Sequence, residues 1–172
     1  MRALLDSLYR LSGALAAIGM VATLVLVGAG VFSRPLGIYL PGTDDYAGYA
    51  MAACGFLALA YTFKHGEHIR VSLLLDRAGP RLRAALEWFS LATATTVAAM
   101  LAFYAVRLVW QSHEFEEISQ GVDATPLWIP QLSMAIGTVV LLIALIDDLV
   151  LTTLGRAPKR LANHGGEAAR ME

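Results

Sequence analysis

Four uncharged apolar stretches occupy most of this chain of 172 residues, and each is long enough to cross a bilayer. The hydrocarbon core of a membrane is about 30 Å thick and a helix rises about 1.5 Å per residue, so roughly 20 apolar residues span it. Little sequence is left over for a soluble domain. The stretches are Leu11–Ser33, Tyr46–Phe63, Trp88–Val106 and Ala124–Ile146.

The pattern predicts an all-α, polytopic membrane protein with one four-helix transmembrane domain over residues 1–154. We read the first stretch as a retained span, because it is longer than the roughly 7–15 apolar residues of a signal peptide. A short interfacial segment is expected between the second and third helices, at 72–83, and a disordered cytoplasmic tail at 155–172. The predicted helices cover about 11–33, 44–63, 84–110 and 126–153.

Composition argues against several classes of function. Hydrophobic residues make up 57% of the chain and the net charge is −1, so no basic face is available for nucleic acid. The lone Cys54 lies within the second span, where a thiol is more often a packing residue than a nucleophile. Haem would need paired histidines inside the spans. We therefore predict no cofactor, no metal and no catalysis, since all four histidines lie outside the spans: His65, His68, His113 and His164.

The charges of the loops predict the orientation. Five basic residues and two acids lie between Lys64 and Arg83, whereas Gln111–Leu127 holds four acids and no Lys or Arg. Loops rich in Lys and Arg stay cytoplasmic. Both termini are basic as well, which predicts that they share the cytoplasmic side with the middle loop.

Small residues suggest how the helices pack. The second and third spans are rich in Ala, Gly and Thr, and close approach between membrane helices favours such residues. We expect these two spans to form the inside of the unit, with Gly48, Ala52 and Gly55 on one packing face of the second span. The threonines are expected to bond their own backbone one turn back.

No acid, base or histidine lies at the centre of a span, where ionisable groups usually mark ion or substrate paths. Asp44 and Asp45 head the second span, where a carboxylate complements the helix dipole. Asp147 and Asp148 lie near the inner end of the fourth span. We expect these two to pair with Arg81 or Arg83 across the cytoplasmic interface.

Two short motifs are the most distinctive parts of the sequence. An acidic start to the second helix is followed by the basic exit Lys64-His65-Gly66-Glu67-His68-Ile69-Arg70-Val71, and Thr125-Pro126-Leu127-Trp128-Ile129-Pro130 leads into the fourth span before Gly137. In order and spacing they resemble the DctQ-like small membrane subunit of tripartite ATP-independent periplasmic (TRAP) transporters. The chain departs from that pattern at Ser72, where an acid is frequent, and at Ala53 and Cys54, where Trp is frequent.

The resemblance implies a function. In such systems a periplasmic binding protein delivers a small organic anion, often a carboxylate, to a large multi-span membrane subunit driven by a sodium gradient. The small subunit supports the large one and helps to dock the binding protein, in the inner membrane of a bacterium. Its implied partners are therefore these two proteins and membrane lipid.

We name ten candidate contact residues on this basis. Glu114, Glu116 and Glu117, in the acidic loop, are expected to contact the binding protein. His68 and Arg70 are expected to anchor the exit of the second span to lipid headgroups or to the large subunit, since Arg binds phosphate and carboxylate bidentately. Asp44, Asp45, Gly48, Ala52 and Gly55 complete the set.

Three other interpretations stay open at this point. One is the small subunit of a tripartite tricarboxylate-type carrier, although the Gly-x-His-Ile-Arg-Val exit favours the TRAP type. Another is a redox membrane anchor, which an absorbance spectrum would reveal. The last is a structural four-helix protein that forms homo-oligomers.

Overall fold

The computed structural model describes residues 2–65 and 79–154, and this part of the chain forms four helices. All four are long and apolar enough to cross a membrane, which confirms the predicted fold class. The tail at 155–172 and most of the predicted interfacial segment lie outside the described residues. The helices are α1 (Arg2–Ser33), α2 (Thr43–His65), α3 (Pro80–Glu114) and α4 (Trp128–Thr153).

Two helices are longer than predicted. Helix α1 begins at Arg2 rather than 11, and α3 runs from Pro80 to Glu114 rather than over 84–110. Apolarity marks where a helix meets hydrocarbon, but its hydrogen bonds continue through charged residues beyond the membrane. Pro80 suits the first turn of α3, because the N–H that proline lacks has no partner there.

The helices lie side by side in the order α1, α2, α4, α3. Helix α2 packs against α1 and α4, α4 packs against α2 and α3, and α1 approaches α4 only slightly. Within the described residues, α3 approaches neither α1 nor α2. The expectation that the second and third spans form the inside was therefore wrong. The central pair is α2 and α4, and α4 has the largest buried share of its span, 39% against 6% for α1.

Glycines set the close contacts between neighbouring helices. A Cβ added to Gly19 of α1 would lie 3.1 Å from the carbonyl oxygen of Ala50 in α2. One added to Gly137 of α4 would overlap the backbone of Phe56 on the other side of α2. Small residues let membrane helices approach this closely. They do so here in the two Leu- and Val-rich helices, for which we did not predict close packing.

Helix α3 packs on α4 through one narrow seam. The buried residues of α3 recur every three, four or seven positions, which places them on one face of a helix. Elsewhere α3 is largely exposed, with Thr95 and Thr96 donating to the carbonyl oxygens of Leu91 and Ala92 one turn back, as predicted. The seam consists of Leu91, Ala98, Ala102, Ala105 and Ser112.

The main core lies toward one end of the molecule, where all four helices contribute. We call this the Lys64 end, because α2 finishes there, and the opposite end the Trp128 end, because α4 starts there. The core is apolar, apart from the hydroxyl group of Tyr9. Its members are Tyr9, Ala60, Phe63, Leu91, Ala98, Val140, Ala144 and Leu145.

Candidate functional site

A charge cluster joins α2 to α4 at the Lys64 end. Lys64 Nζ donates to Asp147 Oδ2 at 2.6 Å and to Asp148 Oδ1 at 2.8 Å. The Asp148 side chain is 2% exposed and that of Lys64 18%, so the ion pair is largely withdrawn from solvent. Lys64 Nζ also lies 5.3 Å from the centre of the Tyr9 ring, a cation–π distance. The cluster therefore connects three of the four helices.

Among the described side chains, Lys64 pairs with Asp147 and Asp148, a contact that the sequence did not lead us to propose. The side chains of Arg81 and Arg83, the expected partners, lie outside the described part of the chain. Counting residues from the start of each helix predicts this contact. Lys64 lies 20 residues after Asp44 and Asp147 lies 19 residues after Trp128, so two helices that start at the same surface and run in the same direction bring them to the same level.

At the Trp128 end, two loops form a layer over the helices. We call residues 34–42 and 115–127 the loop layer. The loop at 115–127 is fastened to α2, because Tyr49 Oη donates to Ser119 Oγ at 2.8 Å. The Asp45 carboxylate lies against Gly121, where a Cβ would overlap it unless the carboxylate moved. Asp45 thus packs within the loop layer rather than standing free.

The 115–127 loop has a defined backbone of its own. Ile118 and Pro126 form an isolated antiparallel bridge, and Glu116 and Ala124 adopt left-handed φ values of 50° and 46°. The Glu117 carboxylate accepts a hydrogen bond of 2.6 Å from Ser112 Oγ. All three candidate glutamates are exposed, but Glu117 also closes the turn that follows α3.

The loop layer presents large apolar side chains and a charged cleft. Tyr39 is 82% exposed, Phe115 70% and Val122 65%. A cleft of about 330 Å³ opens beside the 34–42 loop, and the charged residues that line it are Arg34, Asp44 and Asp45. Apolar exposure rimmed by charge is typical of a protein-binding surface.

The predicted small-residue face of α2 is exposed. Gly48, Ala52 and Gly55 lie on one face, and a Cβ added to either glycine would meet no atom within 4 Å. Asp44 continues this face to the Trp128 end and is exposed too. Within the described chain, no other helix therefore lies against Gly48 or Gly55.

The last two candidates, His68 and Arg70, lie outside the described residues. In the part that is described, no three His, Cys, Asp or Glu residues come together as ligands for a metal ion. The arrangement offers surfaces for other molecules: the loop layer, the open face of α2 and the edges of the helix row.

Comparison with known proteins now decides the family. A family model described as "Tripartite ATP-independent periplasmic transporters, DctQ component" matches residues 23–155. The chain belongs to this family. A DctQ component is a transporter part, and it works with a large membrane subunit and a periplasmic binding protein. No curated protein sequence matches the chain.

Proposed function

We propose that this DctQ component is the non-catalytic small subunit that supports the large transport subunit and helps to dock the binding protein. The transporter would import a small organic anion, such as a carboxylate, driven by a sodium gradient across the bacterial inner membrane. The family match carries the proposal. We assign two of the surfaces described above to the two partner proteins.

The first surface is the open face of α2, which we assign to the large subunit. It runs along a central helix of the row and consists of Asp44, Gly48, Ala52 and Gly55, all exposed. A helix of the partner packing there would approach the α2 backbone closely, because no large side chain separates them.

The second surface is the loop layer, which we assign to the binding protein. The proposed orientation, with the basic segment Lys64–Arg83 inside, turns the loop layer to the periplasm. Its exposed Tyr39, Phe115 and Val122 supply apolar contact area, and the acids of the 115–127 loop supply charge that steers association. The binding protein should therefore present a basic patch around an apolar centre.

Co-purification tests the first assignment. The chain, tagged at its C-terminus, is extracted from native membranes in mild detergent, and its companions are identified by mass spectrometry. We expect one polytopic partner in stoichiometric amount. Gly55→Leu should lower its recovery, whereas Gly28→Leu, at an equally open position on α1, should not. Recovery of a monodisperse homo-oligomer alone would contradict the proposal.

Uptake kinetics test the second assignment. We expect replacement of Glu114, Glu116 and Glu117 by Gln to slow uptake about tenfold at limiting binding protein, because electrostatic steering raises association rates by about 10- to 1000-fold. Gln keeps an oxygen acceptor for Ser112, so the turn at Glu117 should persist. The membrane pair should still co-purify. Uptake that is unchanged at low ionic strength would exclude the assignment.

A further inference from the structure

An apolar groove runs between α3 and α4 toward the Trp128 end. Its volume is about 810 Å³, within the roughly 300–1,000 Å³ of sites that hold small molecules. Val106 and Val109 form one wall, and Ile136 and Val139 form the other. The floor includes Ala135, whose short, buried side chain leaves the space between the two helices unfilled.

The groove has the length of one membrane leaflet. On α4 it is lined from Trp128 to Val140, which corresponds to about 18 Å of helix. Half of the hydrocarbon thickness of a bilayer is about 15 Å. An extended apolar chain that enters at Trp128 would therefore end near the middle of the membrane, as an acyl chain does.

The mouth of the groove is aromatic and polar. Trp110 is 72% exposed, and the ring of His113 lies 5.4 Å from that of Trp128, centre to centre. Glu114 completes the mouth. Indole rings favour the headgroup level of a membrane. The indole and imidazole N–H groups are donors suited to a phosphate.

The sign of the charge selects the headgroup. The Gln111–Leu127 segment around the mouth holds four acids and no Lys or Arg. An anionic headgroup would be repelled there, whereas a primary ammonium group would pair with the Glu114 carboxylate. We propose that the α3–α4 groove binds one acyl chain of a phosphatidylethanolamine-type lipid, with the lipid amine at Glu114 and its phosphate at the Trp110–His113–Trp128 mouth.

This site requires only that the helices cross a bilayer, so it can be tested separately from the transport function. The native complex is purified in mild detergent and exposed to equal amounts of phosphatidylethanolamine and phosphatidylglycerol. Native mass spectrometry then counts the lipids that remain bound. We expect the wild type to retain about ten times more phosphatidylethanolamine than phosphatidylglycerol, because one charge-assisted hydrogen bond changes the affinity by about that factor.

Two variant pairs locate the site. Ile136→Trp should fill the groove and abolish the retained lipid, whereas Ile143→Trp, two turns along α4 and outside the groove, should keep it. Glu114→Gln should remove the preference for the amine headgroup, and Glu116→Gln, which does not line the groove, should leave it. Both tryptophan variants are expected to retain the large subunit.

Several results would overturn the assignment. Equal retention of the two lipids by the wild type would remove the charge argument. Undiminished lipid in Ile136→Trp would place any bound lipid elsewhere. Loss of the large subunit from Ile136→Trp, with lipid retention unchanged, would show that a helix of the partner occupies the groove.

Discussion

Lys64 joins α2 to α4 through its charge. Two carboxylates accept hydrogen bonds from its single ammonium group, and one of them, Asp148, is almost fully buried. Removing one partner of a buried ion pair leaves the remaining charge without compensation, which costs far more than the intact pair contributes. A substitution of Lys64 is therefore expected to destabilise the protein unless Asp147 and Asp148 change as well.

Lys64→Met tests this dependence. The methionine keeps most of the side-chain length and removes the charge, so we expect a loss of about 3 kcal/mol in the free energy of unfolding. Changing Asp147 and Asp148 to Asn in the same chain should recover most of that loss, because no uncompensated charge then remains. Thermal unfolding of the purified subunit would measure both. A triple variant no more stable than Lys64→Met would disprove the account.

At the scale of helices, two kinds of glycine can be told apart by what surrounds them. Gly137 lies against the backbone of Phe56, whereas Gly55 has open space around it. The first holds the helix row together and the second leaves a face available to another molecule. Both look alike in the sequence, as small residues within apolar helices.

Matched leucine substitutions separate these roles. Gly137→Leu should destabilise the isolated subunit by about 3 kcal/mol, the upper part of the range for overpacking, because backbone stands in its way. Gly55→Leu should change the stability by no more than about 0.5 kcal/mol, as at other exposed positions. Unfolding of each variant in detergent measures the difference. Equal losses would mean that Gly55 is also packed within the subunit.

The sequence predicted the helices well and their lateral arrangement poorly. Length and apolarity identified four spans, and antiparallel connection followed from the short loops. Which helices pack against each other depends on which face of each helix carries its small residues. The abundance of small residues in the second and third spans suggested that these two pack together. The decisive close contacts use single glycines in Leu- and Val-rich helices, Gly19 and Gly137, whose importance composition hides.

The candidate site was predicted to a similar degree. Asp45 and the glutamates of the 115–127 loop lie at the same end of the molecule, because each follows or precedes a span there. The contacts that fasten this layer, such as Tyr49 to Ser119, join residues 70 positions apart. Nothing local in the sequence pairs them.

For the whole molecule, the orientation in the membrane is the central prediction. Gln120→Cys, in the loop layer, should react with a membrane-impermeant maleimide in cells with a permeable outer membrane. Leu82→Cys, exposed near the start of α3, should react only after the inner membrane is opened. The unmodified chain serves as background, since its Cys54 lies within a span. The reverse pattern would invert the proposed topology and turn the loop layer away from the binding protein.

The spatial order of the helices also affects how the chain assembles during synthesis. Helix α3 enters the membrane before α4, the one helix that it approaches within the described chain. From Glu114 to Thr153 the ribosome adds about 40 residues, which takes several seconds at about 5–20 residues per second. During that time neither Asp147 nor Asp148 is available to pair with Lys64, and α3 has no helix to pack against. Synthesis of α4 therefore completes the row, and a chain that stopped before Trp128 would leave α3 in the bilayer without the helix that joins it to the α1–α2 pair.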